Sequence, residues 1–317
     1  MAGLKPSIIR ELLKQMADPE LISFAGGNPA QDSFPTEEIC RFSDSLLQNE
    51  PVKTLQYSVS EGIPEVREAV KQFANRFFPI CKDSDSLVMM SGSQQILDLT
   101  AKCLCNEGAV VAAEEPAFLS AYLTFRSSGA VVKGVPMQPD GVDLQALERV
   151  LSANPKPAFF YCIPNFQNPT GYTTSLEKRK AIYELTARYG VPVLEDDPYG
   201  ELRFSGEALP PLKALGTGEH IIYAGSFSKI LCPGMRLAYC IADQGLARHL
   251  VTAKQCSDVH TNVWAQRVCE KILTETDLAA HLARLRTIYG KKARQMMDAL
   301  DSQCPQIHYE RPEGGMF

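Results

Sequence analysis

Ile221-Ile-Tyr-Ala-Gly225-Ser226-Phe-Ser-Lys229-Ile-Leu-Cys-Pro-Gly-Met-Arg236-Leu-Ala-Tyr239 sets a short apolar run against two hydroxyls and two cations. The first four residues are apolar on both faces, the pattern of a strand covered on both sides. Gly225 closes the run, so the strand delivers Ser226, Ser228 and Lys229 to the rim of a sheet. Burial at such a rim disfavours the charged form of a lysine and leaves a neutral amine able to attack an aldehyde. Taken alone, the segment is equally readable as a solvated loop lysine with Arg236 in a surface ion pair.

Working outward, the same kind of run recurs at Leu87-Val-Met-Met90, Ala109-Val-Val-Ala-Ala113, Ala130-Val-Val-Lys-Gly-Val135, Ala158-Phe-Phe-Tyr-Cys162, Val191-Pro-Val-Leu194 and Leu237-Ala-Tyr-Cys-Ile-Ala242. Helical spacing over residues 63–77, 117–127, 143–152 and 174–189 separates most of them, with Pro64 suited to a first helical turn. The alternation predicts an α/β protein with a mainly parallel sheet of about seven strands covered by helices. Before it, residues 5–16 have the spacing of an amphipathic helix. Leu21-Ile-Ser-Phe-Ala25 then runs into Gly26-Gly27-Asn-Pro29, which fits a plain turn or a close approach of backbone to a ligand. From about residue 244 the strand pattern stops and long helical patterns continue to about residue 301, which predicts a boundary there.

The composition narrows the function classes. The chain has 317 residues, 45% hydrophobic and 22% charged, enough for a large core. A net charge of -5 without a basic block points to a small-molecule partner, with no nucleic-acid or membrane-surface footprint. No targeting segment and no apolar run of membrane length is recognisable, so a cytoplasmic protein is expected. The ten cysteines are scattered and read as reduced thiols. Cys103 and Cys105, the closest pair, would point to different faces of a helix, and the five histidines do not cluster, so no metal site is expected.

Ligands of open α/β sheets sit beyond the carboxyl ends of the strands. Gly92-Ser93-Gln94 follows the run at 87–90, and Asn165-Phe-Gln-Asn168-Pro-Thr-Gly171 follows the run at 158–162. Glu195-Asp196-Asp-Pro-Tyr199 follows 191–194, and Ser226 to Lys229 follows 220–224. A strand, a small polar turn and a helix start form a phosphate site at Ser93 and Gln94. Asp196 is suited to face a pyridine nitrogen, while Asn168 and Tyr199 can donate to a ring hydroxyl. Arg236, Ser226 and Ser228 add charge-assisted bonds to the phosphate. With Lys229 as the amine, the set is the inventory of a pyridoxal 5'-phosphate site. Each member also has a plain reading, such as a turn at Asn168-Pro169, a helix cap at Asp196 or a core phenol at Tyr199.

The motifs Gly92-Ser93-Gln94-Gln95, Glu115-Pro-Ala-Phe118, Pro164-Asn-Phe-Gln-Asn168-Pro-Thr-Gly171, Glu195-Asp196-Asp-Pro-Tyr199 and Ser226-Phe-Ser-Lys229 with Pro233-Gly-Met-Arg236 closely resemble the fold-type-I, class I/II aminotransferases. The nearest likeness is to their aminoadipate/kynurenine-type branch. The resemblance implies a transfer of the amino group from a 2-amino acid to a 2-oxo acid such as 2-oxoglutarate, by ping-pong through a Lys229 aldimine. It also implies that Phe118 stacks on the cofactor ring, where relatives often carry tyrosine. Gly26, Gly27 and Asn168 would lie near the substrate carboxylate. A homodimer is implied as well, with Tyr57 reaching the partner's phosphate and His260-Thr-Asn262 near the shared edge.

On this resemblance, residues 1–30 would be an N-terminal helix and arm, 31–243 the large cofactor-binding domain, and 244–317 the long helices and start of a smaller, incomplete C-terminal α/β domain. In the family the chain continues past Pro312-Glu-Gly-Gly-Met-Phe317, and the arginine that binds the substrate carboxylate has no counterpart here. The expectation is a chain that holds the cofactor and turns over amino acids poorly. A lyase, decarboxylase or racemase on the same fold, or a non-catalytic cofactor-binding sensor, shares the cofactor residues and is the alternative.

Overall fold

The computed structural model describes residues 26–317. The helix expected at 5–16 and the run leading to Gly26 lie outside the described residues. Among the described residues, eight strands form one sheet: β1 (Asp85–Met90), β2 (Val110–Glu115), β3 (Val131–Gln138), β4 (Gly141–Val142), β5 (Phe159–Cys162), β6 (Val193–Asp197), β7 (Ile221–Ser226) and β8 (Ala238–Asp243). Their order is β1-β8-β7-β6-β5-β2-β3-β4. The pairs β7/β6, β6/β5, β5/β2 and β2/β3 are parallel, whereas β8 is antiparallel to both β7 and β1. β1 therefore points the same way as β7, and the chain leaves β1, β2, β5, β6 and β7 at one edge of the sheet.

All seven expected runs are strands. The eighth, β4, is a two-residue return that pairs antiparallel with the end of β3 and was not expected. Its first residue, Gly141, has φ 123, which a side chain would resist. Burial alternates across the sheet as a two-sided cover requires. Val111, Ala113, Phe159 and Tyr161 enter one core, and Ala112, Phe160, Cys162 and Val193 enter the other. Each buried phenylalanine contributes roughly 1.5–3 kcal/mol.

The covering helices are α1 (Thr36–Asn49), α2 (Pro51–Leu55), α3 (Pro64–Asn75), α4 (Ser93–Leu104), α5 (Leu119–Ser127), α6 (Leu144–Leu151), α7 (Leu176–Tyr189), α8 (Gln244–Gln255), α9 (Val263–Glu275) and α10 (Leu278–Gln303). Their ends follow local chemistry. Pro64 opens α3, the Ser175 hydroxyl accepts from Lys178 N–H to cap α7, and Gly190 closes α7 in the left-handed region. Asn262 and Asp277 cap α9 and α10 in the same way as Ser175 caps α7. The change from strand to helix at residue 244 brings no break in the core. Ala247 and Leu250 of α8, Val268 and Ile272 of α9, and Leu285 of α10 pack in the larger of the two clusters. After Asp243 the described residues form helices α8 to α10, and Gly314 makes an isolated antiparallel bridge with Arg203.

Candidate active site

The reversed strand β8 gathers the site. Met90, the last residue of β1, pairs with Ala238, the first of β8, so the turn after β1 lies beside the residues that enter β8. Arg236 stands in that entry in the left-handed region (φ 50), and its guanidinium lies over Gly92. A β-carbon at Gly92 would overlap the guanidinium, and the φ of 87 there also disfavours any other residue. Helix α4 starts at the next residue, Ser93, without a side-chain cap. Its first-turn N–H groups and the positive end of its dipole thus meet a fixed cation at the same turn. The Gln94 side chain is used elsewhere, donating to Thr124 Oγ1, which leaves its backbone N–H as the group available to an anion.

Lys229 follows β7 by three residues, and its Nζ donates to Gly27 O at 2.8 Å. Burial, helped by the nearby charge of Arg236, lowers its pKa to about 8. Ser226 is buried at the end of β7, and its Oγ accepts the Ser228 N–H at 3.2 Å. Gly27, Lys229, Phe317, Gly171 and Tyr199 form one continuous patch. The Phe317 ring lies against Gly27, its carbonyl lies against Gly171, and its ring is edge-on to Tyr199 at 5.7 Å. Asn168 Nδ2 completes the patch at 3.5 Å from the Tyr199 hydroxyl. Tyr199 is buried, which pushes its phenol well up.

The acidic run at the end of β6 is sorted by its partners. Glu195 accepts from Leu212 N–H at 2.7 Å and Lys213 N–H at 2.9 Å. Asp197 accepts from Asn165 Nδ2, Gly200 N–H and Tyr223 OH at 3.0, 3.0 and 2.9 Å. Asp196 lies on the opposite face of the strand, is 2% exposed, and takes one bond, from Tyr161 OH to Oδ2 at 3.0 Å. Its Oδ1 is buried with no partner. Burial raises the Asp196 pKa to about 7. A buried carboxylate oxygen without a donor is costly, and a ligand carrying a ring N–H at that point removes the cost. The pyridinium of pyridoxal phosphate meets that requirement, and the Gly92-Ser93 turn with Arg236 suits its phosphate.

Sequence reasoning missed several members. Tyr161 belongs to the apolar run of β5, yet its hydroxyl orients Asp196. Gln167 is the hub of the loop that carries Asn168: its Oε1 accepts Thr170 N–H at 3.0 Å, and its Nε2 donates to Pro116 O at 2.7 Å and to Glu114 Oε2 at 3.1 Å. It thereby ties the Asn168 loop to the turn that leads into half-buried Phe118. Glu114 is buried and its pKa is raised to about 8 by that burial. A glutamine inside a quoted motif is the one signal the sequence held for this tie. Tyr57 stands apart from the others, 84% exposed, with its ring edge-on to His260 at 5.7 Å.

A sequence profile described as Aminotransferase class I and II matches residues 19–317. The chain is 40% identical to the 2-aminoadipate transaminase of Thermus thermophilus, a similarity covering 99% of this chain and 78% of that protein. It is 35% identical to aromatic-amino-acid aminotransferase 1 of Thermococcus litoralis, covering 99% of this chain and 77% of the relative. Among solved structures, the Pyrococcus horikoshii kynurenine aminotransferase, in complex with PMP, superposes with a TM-score of 0.94 at 34% identity, covering 99% and 79% of the two chains. LysN, the α-aminoadipate aminotransferase of Thermus thermophilus complexed with N-(5'-phosphopyridoxyl)-L-leucine, gives 0.89 at 38% identity, covering 99% and 78%. Strand-end chemistry, fold and sequence similarity thus agree that the chain belongs to the class I and II aminotransferases, enzymes that move amino groups with pyridoxal phosphate.

Proposed function

We propose that this chain moves the amino group of a 2-amino acid to a 2-oxo acid such as 2-oxoglutarate, by a ping-pong course centred on Lys229. The observation that carries this reading is the unpartnered, buried Oδ1 of Asp196 at the end of β6, beside the strand that delivers an amine with a pKa of about 8. Pyridoxal phosphate, when bound, supplies an aldehyde carbon and a ring that takes up electron density from the substrate Cα.

The chain's own residues do the rest. Asp196 would accept the ring N–H at Oδ1 and keep that proton in place, while Tyr161 fixes the carboxylate through Oδ2. Asn168 and Tyr199 would donate to the ring hydroxyl, and Phe118 would cover a ring face. Ser93, the Gln94 N–H, Ser226, Ser228 and Arg236 hold the phosphate. Lys229 Nζ would carry the proton lost from the substrate Cα, a task suited to an amine whose pKa is lowered to about 8. Gly26 and Gly27, with Asn168, would lie near the substrate carboxylate. The test is to supply cofactor, candidate 2-amino acids and 2-oxoglutarate, and to follow both products. Glutamate formed in equal amount with the new 2-oxo acid is expected. Carbon dioxide release or racemisation without glutamate would replace this reading with a lyase, decarboxylase or racemase.

The reading includes a homodimer in the cytoplasm. Exposed Val52, Leu55, Tyr57 and Val59 cluster along one stretch beside His260, a surface suited to a second copy. No helix of the described residues is long and apolar enough to cross a membrane. Tyr57→Phe, which removes one donor to the partner's phosphate, is expected to weaken cofactor binding about tenfold while sedimentation still gives twice the chain mass. A single-chain mass for the unaltered protein would overturn this assignment of Tyr57.

A further inference from the structure

Lys254, in the last turn of α8, is wholly buried and takes no part in the chemistry above. Its Nζ donates to Gln95 Oε1 at 3.0 Å, to the two Asp258 oxygens at 2.8 and 2.9 Å, and to Thr261 Oγ1 at 3.0 Å. Each acceptor also grips the end of β1 or the turn that follows it. Gln95 Oε1 accepts Ser91 N–H at 2.8 Å, Asp258 Oδ2 accepts Ser91 Oγ at 2.5 Å, and Thr261 Oγ1 donates to Met89 O at 3.2 Å. One ammonium thus bolts residues 89–95 to the end of α8 and to the turn at 258–261.

We infer that Lys254 is a positioning residue for the phosphate cradle at Gly92-Ser93-Gln94, acting through Gln95, Asp258 and Ser91. Two physical effects follow from the geometry. The bonds on either side of Gly92 hold a flexible residue in one conformation, so the first N–H groups of α4 keep a fixed aim without rearranging when an anion arrives. The ammonium also offsets the charge of Asp258, whose Oδ2 bonds Ser91 beside the cradle, so that an arriving anion does not meet an uncompensated carboxylate there. Ordinary core packing would be served by methionine, which has similar length and no charge to desolvate.

The inference rests on the reading that the cofactor phosphate sits at this turn, and the experiment separates the two. Dissociation constants for pyridoxal phosphate and for pyridoxal, which lacks the phosphate, are measured by absorption titration of the unaltered chain and of Lys254→Met. The variant is expected to lose about tenfold in affinity for pyridoxal phosphate, the worth of a charge-assisted contact, with its affinity for pyridoxal unchanged. A merely structural role would move both affinities together. If Lys254→Met does not fold, Gln95→Met, which cuts the link between Lys254 and Ser91, decides by the same ratio. A variant that keeps the full preference for pyridoxal phosphate overturns the role of Lys254. An unaltered chain with no preference between the two aldehydes overturns the cradle beneath it.

Discussion

Lys229→Ala is expected to abolish the visible absorption band that the chain acquires with pyridoxal phosphate and to slow amino transfer by at least about 10⁴-fold, roughly 5.5 kcal/mol of barrier. On the proposed course the side chain serves two steps, capturing the aldehyde and moving the Cα proton, and among the described residues the patch offers no second amine. Its Nζ bonds one carbonyl, that of Gly27, so the substitution removes chemistry with little cost to the fold. The pH dependence has a definite sign. Burial and the charge of Arg236 lower the pKa to about 8, so the neutral, nucleophilic form grows as pH rises through that value. About a tenth of the amine is neutral at pH 7, against well under a thousandth for an unperturbed lysine. Stopped-flow capture of pyridoxal phosphate by the cofactor-free chain should therefore quicken roughly tenfold between pH 7 and pH 9 and then level. A band that persists in the alanine variant, or a rate still climbing above pH 10, would remove Lys229 from the centre of the site.

The residues that could be read from sequence share one property: each stands just after an apolar run. Lys229 after β7, Asp196 at the end of β6, Asn168 after β5 and Ser93 after β1 are polar groups at the close of a buried strand, and period and composition mark both sides of that junction. The direction of β8 was not marked, because an apolar run reads the same either way. The segment between β7 and β8 held a clue, since a parallel return needs a crossover of a dozen or more residues, usually with a helix. Residues 227–237 hold a 3₁₀ turn at Pro233–Met235 and no α-helix. That reversal is what sets Arg236 over Gly92. Lys254 was hidden for another reason. Lys254 and Asp258 are four apart, the spacing of an exposed helix pair, and nothing local shows that the end of β1 covers them. The contact of Phe317 with Gly27 and Tyr199 joins opposite ends of the chain, which no window along the sequence can see.

Asp196→Asn is the second substitution with a large expected effect, a fall of about 10³-fold in amino transfer, roughly 4 kcal/mol, with the cofactor still bound. Asparagine has nearly the same shape and can keep the Tyr161 hydroxyl as a donor to its carbonyl oxygen. The amide nitrogen then occupies the place of Oδ1 and presents N–H where the carboxylate presented a lone pair. A ring nitrogen facing that donor sheds its proton to accept the bond, and an unprotonated ring takes up electron density from Cα far less readily. The phosphate cradle and Lys229 are untouched, so affinity for pyridoxal phosphate should stay within about tenfold and thermal stability near neutral pH should hold or rise, because a carboxyl whose charged form is disfavoured by burial has become a neutral amide. The pH profile separates this cause from simple loss of charge. Burial raises the Asp196 pKa to about 7 in the cofactor-free chain, so the carboxylate fraction there falls as pH drops through 7. A cationic ring N–H at Oδ1 opposes burial and draws that pKa down, so the loaded chain keeps its carboxylate, and its ring proton, below pH 7. The unaltered enzyme should then hold its rate between pH 7 and pH 6 as far as Asp196 is concerned, while the asparagine variant stays slow at both. A variant with unaltered turnover would show that the ring proton is held by some other group and that the orphaned Oδ1 serves a different ligand.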